Sequence, residues 1–297
     1  MSKILKALCV GVMLFAGFAT ADDQPTDARR DAVIGAYKAA IAVSKPGPAQ
    51  IPFADQAVLN LPAGYRFIPK TEAAAYMQQL GNRVGDDFLG IIISSDEEKN
   101  WIISAKFAKA GYIKEDDARD WKADELLKSL QEGTEAQNEF RREHGIGEIA
   151  VAGWVQPPAY DAKTHRLVWS VEAREKNAKA GDEAGVNYNT YALGREGYIS
   201  LNLVTDLSTV EADKPAALAL LNNLQFDAGK RYEEFNASTD HIAEYGLAAL
   251  VGGIAAKKLG LLAVIAAFAV KFIKVIALAV VGGLAALKKF FSSRKQA

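Results

Sequence analysis

The stretch from Ile242 to Leu287 limits what this chain can become more than any other, because it is apolar throughout and broken only by Glu244, Lys257, Lys258, Lys271 and Lys274. Water is a poor solvent for such a run. A hydrocarbon core of roughly 30 Å takes about 20 helical residues, so residues 259–287 are expected to form a transmembrane anchor, crossing with some tilt. Lys271 and Lys274 oppose this by roughly 2.5–3.5 kcal/mol each at mid-membrane, less where they snorkel. An earlier span over 245–270 would centre Lys257 and Lys258 and is disfavoured for that reason. Val251-Gly252-Gly253 and the following Lys257-Lys258 are echoed by Val281-Gly282-Gly283 and Lys288-Lys289. The echo leaves open two membrane-associated helices, or one basic amphipathic helix lying on the surface. The glycine pairs suit close helix contact, so the expected partners are the lipid bilayer and either a second copy or another membrane or envelope protein. Lys288, Lys289, Arg294 and Lys295 mark 288–297 as a basic cytoplasmic tail.

The other end of the chain agrees with this placement. Lys3 and Lys6 precede an apolar run from Ala7 to Phe18, and Ala19-Thr20-Ala21 offers a small-residue cleavage site. Residues 1–21 therefore read as a signal peptide. The expectation is a single-pass inner-membrane protein with its large domain, 22–235, in the periplasm or outside, and with 236–258 as linker and juxtamembrane helix. Cys9, the one cysteine, lies in the leader, so disulfides and cysteine metal sites are not expected in the mature chain. A net charge of −1, with basic residues spread along the chain, gives no footprint for nucleic acid.

Within 22–235 the apolar pattern switches between helical and alternating periods. Helices are expected over 27–43, 71–80, within 117–142, and over 210–224. Two or three short strands with tight turns fit 50–68, a hairpin fits 88–94 with 101–107, and four more strands fit 148–156, 166–174, 185–193 and 198–205. Connections of hairpin length predict the α+β class, an antiparallel sheet packed by helices on one face.

Several passages are distinctive when taken together: Gly153-Trp154 with Pro157-Pro158, Tyr160-Asp161 and Thr164-His165; Val186-Asn187-Tyr188-Asn189-Thr190; Leu193-Gly194-Arg195 with Gly197-Tyr198; and Phe226 with Gly229-Lys230-Arg231-Tyr232, Asp240-His241 and Tyr245-Gly246-Leu247. In these the chain resembles a family of uncharacterised bacterial membrane-anchored proteins, a domain of unknown function. The resemblance covers nearly all of the mature chain and implies export and anchoring, but no activity. The alternation of strands also looks like that of photosystem-associated lumenal proteins of the PsbP type, a likeness of fold that implies no function.

Two groups of residues are candidates for a site. Gly194-Arg195-Glu196-Gly197 is a tight-turn signal, and setting Leu193 opposite Tyr198 pairs Asn189 with Asn202, Tyr191 with Ser200 and Asn187 with Val204. With Glu172 and Arg174 taken to face outward from the preceding strand, Asn187, Asn189, Tyr191, Asn202, Glu172 and Arg174 form a candidate ligand or partner face. Its bland alternative is the solvated side of a sheet. Asp161 and His165, four apart near a hairpin tip, are a weaker candidate pair, and Asp161 equally suits a turn. The three histidines lack metal-ligand spacing, and no nucleophile elbow, phosphate loop or dinucleotide fingerprint occurs. No metal or cofactor is expected. The acidic runs 86–87, 96–98 and 115–117 read as helix caps and loop charges. The functional expectation is a non-enzymatic binding or interaction module, with an envelope hydrolase or transferase using Asp161 and His165, or a structural subunit of a membrane complex, as alternatives.

Overall fold

Runs of β-branched and aromatic residues bounded by Gly, Pro and Asp turns drive most of this chain into strands. The computed structural model describes residues 27–82, 84–143, 147–179 and 182–252. The expected signal peptide, anchor and basic tail lie outside these residues. Among the described residues no helix is long and apolar enough to cross a membrane.

The chain opens with α1 (Asp27–Ala42), followed by β1 (Lys45–Pro46), β2 (Ala49–Phe53), β3 (Ala57–Leu61), β4 (Tyr65–Pro69) and α2 (Lys70–Gln79). A hairpin of β5 (Phe88–Ser94) and β6 (Ile102–Ala108) leads through a short 3-10 turn to α3 (Ala123–Glu143). The strands β7 (Ile149–Asp161), β8 (Arg166–Glu175), β9 (Gly185–Leu193) and β10 (Tyr198–Asp206) then run as a meander, and α4 (Val210–Asn222) and β11 (Leu224–Phe226) follow.

Eight strands form one antiparallel sheet in the order β1-β4-β5-β6-β10-β9-β8-β7, and β11, β3 and β2 form a second, three-stranded sheet. The mixed α+β class with a large antiparallel sheet is as expected. The helices, however, cover both faces rather than one. On one face, Phe67, Ile92, Ile103, Leu201, Leu203 and Tyr188 pack against the small sheet and Val210, Ala217, Leu220 and Leu221 of α4. The opposite face carries two separate cores. Ile68, Ile91 and Ile93 meet α1 and α2, where the Tyr37 and Tyr76 rings pack tilted with centroids 5.5 Å apart. Leu167, Trp169 and Val171 meet Leu126 of α3 together with Leu247, Leu250 and Val251.

Three boundaries differ from expectation for physical reasons. First, β7 runs on through Pro157 and Pro158 to Asp161, which is tolerated because β7 is an edge strand and its register shifts there between Gln156 and Ala159. Second, Leu224, expected at the end of α4, instead begins β11 and pairs with Leu59. Third, residues 236–252, expected as linker and juxtamembrane helix, are packed onto the domain: Ile242 bridges Tyr112, and Leu247 is fully buried. Asp117 accepts the backbone N–H groups of Leu247 and Ala248, at the start of the helical residues 248–252.

Candidate functional site

The β9–β10 register is the one expected, with Leu193 opposite Tyr198, Asn189 opposite Asn202 and Asn187 opposite Val204. Gly197 makes the turn possible. Its φ is +155°, and a Cβ there would stand 2.0 Å from the Ala108 carbonyl oxygen.

The wider polar face does not hold together as expected. Asn189 lies opposite Trp169, Asn187 opposite Val171 and Tyr191 opposite Leu167, while Glu172 lies opposite Val186. Paired residues share a face, so Glu172 and its neighbour-but-one Arg174 sit on the other side from Asn187, Asn189, Tyr191 and Asn202. They form an ion pair with each other there. The strand β8 alternates clearly, but both faces of the sheet are covered, and its apolar side, Leu167, Trp169 and Val171, packs beside Leu126 on the Asn face of β9. Across the Asn face one rung runs Trp169, Asn189, Asn202, Ser104 and Ile91. The amides thus form a polar seam between two apolar cores. Asn189 and Asn202 are buried, and the side-chain carbonyl oxygens of Asn187 and Asn202 have no hydrogen-bond partner.

The β7–β8 hairpin separates the roles of Asp161 and His165. The Asp161 carboxylate accepts the Lys163 N–H at 2.9 Å and the Thr164 hydroxyl at 2.8 Å, and these bonds hold its pKa below the usual carboxylate value. It is exposed and committed to the turn. That turn puts His165 at φ +52°, in the left-handed region, and swings its ring inward. His165 Nδ1 stands 3.4 Å from Glu115 Oε2 and 3.3 Å from the Tyr160 hydroxyl. Tyr160 also donates a hydrogen bond to the same Glu115 oxygen. Burial, reinforced by that carboxylate, pushes the Tyr160 phenol well above its ordinary pKa.

Behind this trio lies an aromatic stack. The His165 ring centroid is 4.2 Å from that of Tyr232, Tyr232 is 4.4 Å from Tyr112, and Tyr112 is 3.9 Å from Phe235. The Tyr232 hydroxyl donates to the Ile113 carbonyl at 2.7 Å, and burial raises its pKa strongly. Beside the trio a cleft of about 300 Å³ is lined by Thr164, His165, Arg166, Arg231, Tyr232 and Glu233, with Leu193, Leu224 and Phe226 among its apolar residues. Arg166 Nη1 donates to Asn222 Oδ1 at 2.5 Å, and burial lowers its pKa.

Sequence reasoning named His165 but paired it with the wrong acid. Glu115 reads in sequence as a helix cap or loop charge, and the residue pattern sets no role for Tyr160, Arg166, Arg231 or Tyr232. Four of these five lie in or beside the distinctive passages, which was the available signal; Glu115 had none. Those passages also hold the 227–245 segment in place. Arg195 meets Asp240 through two bonds of 2.6 and 2.8 Å, Lys230 meets Glu196 at 2.7 Å, and Gly194 bridges Arg231.

Among the described residues no cluster of His, Cys, Asp and Glu is placed to hold a metal, and no hydroxyl other than that of Tyr160 is within hydrogen-bond reach of His165. The arrangement can bind, but among the described residues it offers no activated aliphatic nucleophile.

Among curated proteins none matches this chain. The solution structure of cyanobacterial PsbP (CyanoP) from Synechocystis sp. PCC 6803 is a weak structural likeness, with a TM-score of 0.36 and 9% identity over 62% of this chain and 91% of that one. A family model described as protein of unknown function (DUF2167) matches residues 45–282, and the chain belongs to that family.

Proposed function

We propose that this protein is an extracytoplasmic binding module, held to the inner membrane by residues 259–287, that recognises a ligand or partner without turning it over. The observation that carries the binding part is the cleft at His165. It brings two arginines, an imidazole and apolar surface together, while among the described residues no aliphatic hydroxyl stands within hydrogen-bond reach of that imidazole. The anchoring part rests on the composition of 242–287.

Protease treatment of intact spheroplasts tests the placement, with the large domain expected to be digested and its protection counting against the proposal. Full-length protein in detergent, screened by thermal shift against small molecules, tests the binding. A saturable stabilisation without chemical change of the compound is expected, and turnover would reject the reading.

A further inference from the structure

Among the described residues some arginines are met by acids and others are not. Arg195 pairs with Asp240, Arg142 with Glu148 and Arg174 with Glu172. Arg66 and Arg141 meet the Ser44 hydroxyl and the Gly147 carbonyl instead, and Arg166 and Arg231 are a further two without an acid at ion-pair distance. Both line the cleft at His165, and among the described residues neither has a carboxylate within 4.0 Å. They arrive from separate parts of the chain, Arg166 from the first position of β8 and Arg231 from the segment bridged to Gly194. Arg231 is exposed, and Arg166 is partly buried with Asp161 acting on it only from beyond ion-pair distance; a planar guanidinium fork is the side chain best matched to a carboxylate.

We propose that this cleft is a binding site for a small carboxylate monoanion bearing an apolar or aromatic body. The proposal deepens the ligand-binding reading above and rests on it. Arg166 is pre-positioned by its bond to Asn222, so little side-chain freedom is lost when an anion binds. His165 has Nδ1 occupied by Glu115 and Tyr160, which leaves Nε2 as the nitrogen without a protein partner on the cleft wall. Phe226, Leu224 and Leu193 supply the apolar surface for the body. Glu233, on the same lining, sets the charge limit: it disfavours a second negative charge and so selects a monoanion over a phosphate dianion. A volume of about 300 Å³ is at the small end for ligand pockets.

The test uses the full-length protein in a neutral detergent, with benzoate as probe, benzamide as its uncharged counterpart and inorganic phosphate as the dianion, read by calorimetric titration. Benzoate is expected to bind more than tenfold tighter than benzamide and tighter than phosphate, and to weaken as salt rises. Arg231→Gln, at an exposed position, is expected to lose at least tenfold in benzoate affinity with the thermal midpoint of the free protein unchanged. Arg166→Lys, which keeps the charge and loses the fork, is expected to fall between the two. Equal binding of benzoate and benzamide, tighter binding of phosphate, or full affinity in Arg231→Gln would overturn the proposal. Neutral compounds saturating the cleft would sink the carboxylate assignment and leave the binding module standing, whereas turnover of the compounds would reject the module itself.

Discussion

Asp117 caps Leu247 across 130 residues of chain: its Oδ1 accepts the Leu247 N–H at 3.0 Å, and Oδ2 accepts the next N–H, that of Ala248, at 3.1 Å. A helix start leaves its first N–H groups without partners, and here the carboxylate comes from the 3-10 turn before α3. Asp117→Ala should therefore cost about 1–2 kcal/mol, seen as a lower urea midpoint and as faster hydrogen exchange at Leu247 and Ala248. Gly246→Ala should have a comparable local effect, since a Cβ there would lie 2.3 Å from Asp117 Oδ2. Unchanged exchange at both amides in either variant would refute the cap.

Asp206 gives the domain a specific pH response. Burial, with Glu183 and Asp213 adding negative charge nearby, pushes its carboxyl up to about 6 from an ordinary 3.8. A raised acid pKa favours the protonated folded form, so this contribution to stability is fully present below about pH 3.8 and is lost as pH rises through about 6. Asp206→Asn should stabilise the protein at pH 8 by about 1 kcal/mol, allowing for water at its partly open side, and by much less at pH 4. The difference between the two urea midpoints at each pH is the measurement, and a pH-independent difference would contradict it.

Tyr160→Phe removes the donor that Glu115 shares with His165. A loss of about 1–2 kcal/mol is expected, because the carboxylate is left short of a partner. In an alkaline titration the phenolate signal missing from this variant should belong to the fraction of tyrosines that ionises only on unfolding.

Asp240 is held well below the usual carboxylate range by Arg195. A depressed acid pKa contributes stability that is present above the ordinary value and is lost only as pH falls through the lowered one. The 227–243 segment should thus resist limited proteolysis even in mild acid. Asp240→Asn should make the segment cleavable at neutral pH, and wild-type resistance in this variant would mean that the pair does not hold the segment.

Much of this architecture could be read from the residues. Every β9–β10 pair expected from the Gly194–Gly197 turn is present, because a tight turn fixes register locally and one-residue slips would reverse the faces. The phase of β8 could not be read from its own alternation: Leu167, Trp169 and Val171 make a clear apolar side, but with both faces of the sheet covered that side meets the Asn face of β9 and not its apolar face. The site was legible only in part for a related reason. Asp161 and His165 are neighbours in sequence, so they drew attention together, yet the acid that meets the imidazole comes from 50 residues upstream. Short-range pattern finds turns, while the partner of a functional group is set by which strands meet.

The seam where β6 lies against β10 joins a hairpin completed by Ala108 to a strand that begins at Tyr198. Everything between them must be synthesised before that junction can close. During this interval the newly made β6 offers an unsatisfied backbone edge of seven residues, Ile102–Ala108, which other chains could add to. Such late closure slows folding by the entropy of a long loop. A chain cut before Tyr198 is therefore expected to aggregate through that open edge.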